Sequence, residues 1–197
     1  MNLTGFGTGR KSSESWRRMW LDKLSESMIK TRLPQSRRLL YRDTVDRYLN
    51  ENPGNPRRIE ITRLRHFLET QQDDPSAALL FFYTNICASE EHLEMLGFHQ
   101  EKLRLLAAME KKMRAQKYTS RAITDYSALA AAYLGRLGCM PSADDASTIR
   151  AYLAGLKEKE GLSPGAVKRH ATAISFLYSY ILGFAETVKT IPGTKSR

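Results

Sequence analysis

Apolar side chains recur along this chain at three- and four-residue spacing in separate stretches, the pattern of helices that each bury one face. The most regular stripe is Val167, His170, Ala171, Ile174, Leu177, Tyr178 and Ile181. Ser163-Pro164 precedes it as an N-cap and a first-turn proline, where the missing N–H costs nothing, and Gly183 closes it. Ile149, Tyr152, Leu153 and Leu156 predict a helix over 145–159, ended by Gly161. Ile123, Tyr126, Ala130, Tyr133, Leu134 and Leu137 predict another, from the N-cap Thr119 to Gly138, and Leu103, Leu106 and Met113 one over 100–116. Earlier in the chain the stripes are less tidy. Trp16, Trp20, Leu24 and Met28 mark a first helix, Tyr41, Val45, Tyr48 and Leu49 a second, and Ile61, Leu64, Phe67 and Leu68 a third. Asn52-Pro53-Gly54-Asn55-Pro56 is a turn. Asp74-Pro75 caps a fourth helix (Leu79, Leu80, Phe81, Phe82, Tyr83), interrupted where Ser89 offers a fresh N-cap. No stretch alternates as a strand would, so the expected class is all-α.

These helices fall into two sets of four. An offset of 85 superposes Met28 on Met113, Tyr41 on Tyr126, Tyr48-Leu49 on Tyr133-Leu134, Arg65 on Arg150 and Leu68 on Leu153. Asp74-Pro75-Ser76-Ala77 lies over Ser163-Pro164-Gly165-Ala166, and Leu96-Gly97-Phe98 over Leu182-Gly183-Phe184, at slightly larger offsets. Small changes of offset are what loop insertions between fixed elements produce. The expected organisation is a flexible N-terminus over 1–13, one helical domain over 14–97, a second over 98–183, and a linker or tail over 184–197.

Composition narrows the function. The chain has 197 residues, 42% of them hydrophobic, with 12 Gly and 7 Pro, which does not fit a disordered or low-complexity chain. Cys87 and Cys139 form no disulfide framework and no CxxC spacing for zinc. No apolar run approaches a membrane span, and MNLTGFGTGRKSS lacks the apolar block of a secretory signal, so a soluble cytoplasmic protein is expected. There are 31 Lys+Arg against 21 Asp+Glu, a net charge of +10. Residues 66–100 hold six acids and no Lys or Arg, so two basic blocks flank an acidic one. That distribution suggests surfaces seeking a polyanion.

Few residues suggest catalysis. His66, His92, His99 and His170 lie apart, and His92 and His99 with Glu91 or Glu94 imitate a metal site without any HExxH or Cys/His spacing, so no metal and no cofactor is expected. Asp73-Asp74 and Asp144-Asp145 precede helices and read as caps. Gly5-Phe6-Gly7-Thr8-Gly9 has neither the strand nor the GK[ST] of a phosphate loop. The basic residues offer more. Lys117, Thr119, Ser120 and Arg121 surround the start of one helix, and Ser163, Lys168, Arg169 and His170 the start of another. Helix N-termini with Lys and Arg beside them suit phosphates.

The segment Tyr118-Thr119-Ser120-Arg121-Ala122-Ile123-x-x-Tyr126, then Ile149-Arg150-Ala151-Tyr152-Leu153-Ala154-x-Leu156, then Gly161-Leu162-Ser163-Pro164-x-x-Val167-x-Arg169-His170-x-x-Ala173-Ile174-x-Phe176-Leu177-Tyr178 resembles a known pattern. It is similar to the core-binding, SAM-like N-terminal domain of tyrosine recombinases, the phage integrases. The resemblance covers about 100–183, and the first set of helices looks like a diverged copy of the same domain. It implies a four-helix domain that forms half of a clamp on duplex DNA, with its second and fourth helices in the major groove. The contact residues it implies are Thr119, Ser120, Arg121 and Thr124, then Ser163, Lys168, Arg169 and His170. Arg169 suits a bidentate bond to guanine, and Lys168 a phosphate. Ser175 stands where the family often has a base.

The family's chemistry needs a Tyr nucleophile, two Arg, a Lys and an HxxR element in a separate catalytic domain. No HxxR occurs in this chain, only 14 residues follow Gly183, and Tyr41, Tyr126, Tyr133, Tyr152 and Tyr178 lie on apolar faces. The chain is therefore expected not to cut DNA by itself. Its expected partners are duplex DNA and other recombinase protomers, with no membrane and no small-molecule substrate. In the first copy the fourth helix has no basic residue. Positive charge comes instead from Arg32, Arg37, Arg38, Arg42 and Arg47, assigned to the second helix, and from Arg57, Arg58, Arg63 and Arg65, all suited to phosphates. Its acidic, aromatic fourth helix is expected to face protein, a plain buried core being the other reading. About five neutralised phosphates predict a log–log salt slope near −4.5. The alternative function is a helical protein–protein adaptor that keeps the fold without DNA binding.

Overall fold

In the computed structural model the backbone is described for residues 9–189 and 191, and the side chains from residue 14 onward. Residues 5–8 of the glycine-rich stretch lie outside the described residues, while 9–13, expected as flexible terminus, form the first turns of a helix. Among the described residues there is no strand, and the protein is all-α. The helices are α1 (Gly9–Lys30), α2 (Gln35–Glu51), α3 (Ile61–Thr70), α4 (Ser76–Phe82), α5 (Glu90–Ala115), α6 (Ser120–Leu137), α7 (Ala146–Glu158), α8 (Pro164–Phe176) and α9 (Ala185–Lys189). They form two compact units, residues 1–99 and 100–197, with the boundary inside α5.

Each unit closes on its own core. In the first, Leu24 and Met28 of α1, Val45 and Tyr48 of α2, Leu64 and Phe67 of α3, and Leu79 and Phe82 of α4 are buried together. The aromatic face of α4 therefore belongs to its own core, with Leu80 and Phe81 packed against the same cluster. The expectation that it faces another protein is corrected: a seven-residue helix in the middle of a small bundle has no second apolar surface to spare. In the second unit Met109 and Met113 of α5, Tyr133 and Leu134 of α6, Ile149 of α7 and Ile174 of α8 form the core. The register on α5 differs from expectation. Leu105, Met109 and Met113 face inward at four-residue steps, while Leu103 is half-buried. Residues 185–189 and 191, expected as linker or tail, join this core: α9 buries Thr187 and Val188, the Thr187 hydroxyl donates to the Ala143 carbonyl at 2.6 Å, and Ile191 is buried.

The caps follow the sequence closely. Thr119 and Ser163 accept from the N–H groups of Ala122 (3.2 Å) and Ala166 (3.3 Å), and Gly138 ends α6 at φ +70°. Asp74 binds the Ser76 N–H at 2.9 Å. Asp145 does not cap α7. Its carboxylate accepts from the Ser142 N–H at 2.7 Å and from the Tyr178 hydroxyl at 2.5 Å, so the capping assignment for that residue is corrected.

The fourth helix of each unit widens into a π-helical turn, Tyr83–Cys87 and Leu177–Ile181. Each turn carries a tyrosine that ties three parts of its unit together. Tyr83 donates to the Pro56 carbonyl (3.0 Å) just before α3, so Tyr48 of α2 must donate to Tyr83 (2.9 Å). In the second unit Tyr178 donates to Asp145 just before α7, and Tyr133 of α6 donates to Tyr178 (2.9 Å). All four rings are buried, and a buried hydroxyl without a partner is costly, so each chain of bonds fixes which helix faces which. His92 completes the first core. It stacks on Tyr83 at 4.3 Å, its Nε2–H donates to the Ile59 carbonyl (2.8 Å), and its Nδ1 accepts from Ser89 (2.7 Å).

The two units also share one joint, bond for bond. After α1, Leu33 N–H returns to the Met28 carbonyl (3.1 Å) and Arg32 N–H to Ile29 (3.0 Å), with Arg32 left-handed at φ 54°. Eighty-five positions later, Tyr118 N–H returns to Met113 (3.1 Å) and Lys117 N–H to Arg114 (3.0 Å), with Lys117 at φ 60°. This is the Schellman closure, in which the left-handed position is usually glycine. Arg32 therefore belongs to the α1–α2 joint and not to the second helix as expected.

The order of effects in the tyrosine chains is testable. Tyr178→Phe removes the central hydroxyl and strands both neighbours, whereas Tyr133→Phe removes only a terminal donor. The expected losses in urea unfolding are about 1–3 and about 0.5–1.5 kcal/mol respectively. Burial also pushes the Tyr133 phenol up to about 12 and raises Tyr48, Tyr83 and Tyr178 as well. The unfolded chain releases these protons near pH 10, so the stability they contribute is intact below 10 and lost as pH rises towards 12 and beyond. Absorbance at 295 nm should show these tyrosines ionising only as the fold is lost.

Candidate nucleic-acid interface

The second unit presents cations at the starts of two helices. α6 begins after the strained Lys117, with Thr119, Ser120, Arg121 and Thr124 all exposed on its first turns. The Thr119 hydroxyl is already an acceptor for the helix and keeps its own proton to donate outward. Thr124 instead gives its proton to the Ser120 carbonyl at 3.1 Å, which leaves it only acceptor capacity. Asp125 is exposed beside these residues and places a carboxylate on the same stretch of helix. Sequence reasoning passed over it, although its place next to Thr124 is plain.

α8 begins with the Ser163 cap and Pro164, so the first turn is fixed with its backbone donors directed outward. Lys168 and Arg169 are exposed while Ala171, Ala173 and Ile174 on the same helix are buried. Neither cation forms an ion pair with any described carboxylate. His170 points elsewhere: its Nδ1 meets the Tyr152 hydroxyl at 3.1 Å, and it is half-buried. Burial lowers its pKa, Glu160 works against that, and Arg136 and Arg169 add to the lowering, so the ring is neutral at pH 7. It contributes packing there rather than charge. Ser175 is half-buried with its hydroxyl turned inward.

The two groups are not brought into one cluster. Tyr118, just ahead of α6, packs its ring on Phe176 at the far end of α8 (5.9 Å). Arg136, near the end of α6, lies 5.6 Å over the Tyr152 ring, whose hydroxyl meets His170 at the middle of α8.

Residues 105–185 match the family model for the phage integrase N-terminal SAM-like domain. Over this stretch, less than half of the chain, the protein is similar to such a domain. The match takes in the end of α5, α6, α7, α8 and the π-helical turn, and so includes both basic groups. No curated protein and no solved structure matches the chain. Among the described residues no group of His, Cys, Asp or Glu is arranged to hold a metal ion, and no helix is long and apolar enough to cross a membrane. His92 is a satisfied core group, and His99 lies 3.8 Å from Asp74.

The first-unit arginines have other surroundings. Arg37 is exposed, Arg38 is half-buried, and Arg42 donates to the Ser25 hydroxyl at 2.5 Å. Arg47 pairs with Asp43 at 3.4 Å, and Arg57 reaches the Ile86 carbonyl at 3.5 Å.

The strained Lys117 offers a separation of roles. Glycine adopts φ 60° without the penalty of about 1–2 kcal/mol that a side chain incurs. Lys117→Gly should leave stability equal or raise it by up to about 1 kcal/mol in urea unfolding, after glycine's own entropy cost. The same variant should bind duplex DNA more weakly in a gel shift.

Proposed function

We propose that this chain binds duplex DNA through its second unit, as the non-catalytic N-terminal part of a recombinase of the phage-integrase type. The observation that carries the reading is the pair Lys168–Arg169, exposed and free of carboxylates on a helix whose other face is core, inside an integrase-family domain. Lys117, Arg121 and Lys168 supply phosphate contacts, with Thr119, Ser120 and Ser163 adding hydroxyl donors beside two helix N-termini. Arg169, planar and with a paired set of donors, is the candidate for a guanine edge. The tyrosines of the two cores are spent on structure: the hydroxyls of Tyr48, Tyr83, Tyr133 and Tyr178 are buried and bonded to each other, and none is presented as a nucleophile.

We read the two units as tandem copies of one domain. The shared Schellman joint, the paired tyrosines and the π-helical turn after each fourth helix support this. The copies differ where DNA contact is at issue. α4 has seven residues against thirteen in α8 and carries no cation, so the first unit has no counterpart of Lys168 and Arg169. The adaptor reading finds its support in that first unit alone.

Three phosphate contacts predict a log–log salt slope near −2.7. Reversing Lys168 and Arg169 to Glu should bring it toward −1.8 and weaken duplex binding more than about tenfold at 100 mM salt. An unchanged slope and affinity would sink the DNA reading of α8. Asp125→Asn, which removes a carboxylate next to the α6 group, should strengthen binding by a few-fold in the same titration.

A further inference from the structure

In the first unit a groove of about 230 Å³ runs between α1 and α2, lined by Met28, Ile29, Leu39, Arg38 and Arg42 among others. Ile29 and Leu39 are 61% and 64% exposed, and Leu40 beside them is 56% exposed. A single exposed apolar side chain is ordinary, but Ile29 and Leu39 exposed together along one groove mark an interaction surface.

The shared joint shows what occupies the same positions in the second unit. Eighty-five positions on, Ile29 becomes Arg114, Leu39 becomes Thr124 and Leu40 becomes Asp125. A face that is polar and charged beside α6 is apolar beside α2, and a duplex has no use for an apolar floor. The rim is basic. Arg38 lies half-buried along the groove with its Nε lacking a hydrogen-bond partner, Arg42 stands on the next turn, and no carboxylate lines the groove.

We infer that this α1–α2 groove docks an acidic, amphipathic helix of a partner protein. The ridges of two packed helices leave a channel that suits a third, with apolar residues at three- and four-residue spacing on the floor. Glutamates flanking that stripe complement the positive charge of Arg38 and Arg42. A second copy seated through the same patch would set these arginines against their own equivalents, which like-charge repulsion opposes. The inference is independent of DNA binding by the second unit.

The test uses the full chain and a short labelled peptide with Leu at helical 3/4 spacing and Glu on both flanks, followed by fluorescence anisotropy. The comparison peptides are a scrambled version and one with Lys in place of Glu. The acidic ordered peptide should bind with a Kd on the order of 10 μM, and both comparison peptides at least about tenfold more weakly. Leu39→Glu and Arg42→Glu should each weaken it about tenfold, and thermal melts of these exposed-site variants verify their folding. Duplex binding measured in parallel should be unchanged by Leu39→Glu. No binding, equal binding of the scrambled peptide, or indifference to Leu39→Glu overturns the proposal. Self-association of the wild type that Leu39→Glu abolishes would assign the groove to a second copy instead. Loss of duplex binding in that variant would assign the face to DNA.

Discussion

A buried phenol must find a partner, and in each half of this protein that requirement sets the arrangement of the helices. Two tyrosine hydroxyls meet in the core, and the inner one passes its proton to an oxygen just ahead of the third helix. The second helix, the widened end of the fourth and the turn before the third are thereby held in one register. Hydrophobic burial supplies most of the free energy but is indifferent to small rotations of a helix, whereas a chain of hydrogen bonds is not. The π-helical turns follow from the same demand. A wider turn re-aims one side chain without ending the helix, and it brings Tyr83 and Tyr178 to their partners.

With the core fixed in this way, the outward faces are free to differ. The second unit keeps exposed cations near the starts of α6 and α8, in the part of a helix where backbone N–H groups are unpaired. One of them, Lys117, is held in a left-handed conformation that glycine would occupy without strain. Arg32 holds the same conformation at the matching joint of the first unit. The first unit closes the same kind of joint in other surroundings, with leucines 85 positions ahead of Thr124 and Asp125. One half thus carries a basic face and the other an apolar groove.

His170 shows how neighbours redirect a residue that sequence position alone marks as a contact. It follows two exposed cations directly, but a helix turns by about 100° per residue, and that step carries its ring from solvent to the Tyr152 hydroxyl. Desolvation and two nearby arginines then keep it neutral. Thr124 changes in a similar way, since its hydroxyl proton closes on the helix backbone and is not offered outward.

The sequence by itself marked most of the helices and several of their caps, because period, Ser/Thr/Asp caps and Gly stops act over a few residues. Thr119, Ser163 and Gly138 are where local chemistry alone puts them. It also determined which cations stand at the starts of α6 and α8. Tertiary structure decided the rest. The Tyr48–Tyr83 and Tyr133–Tyr178 pairs are separated by 35 and 45 residues, so no single offset aligns both members and only the packed core reveals them. Asp145 resembles a cap in sequence and serves Tyr178 in space. Likewise α9 looks like a linker until Val188 and Ile191 are seen in the core, since five residues are too few to declare a face before they have something to pack against.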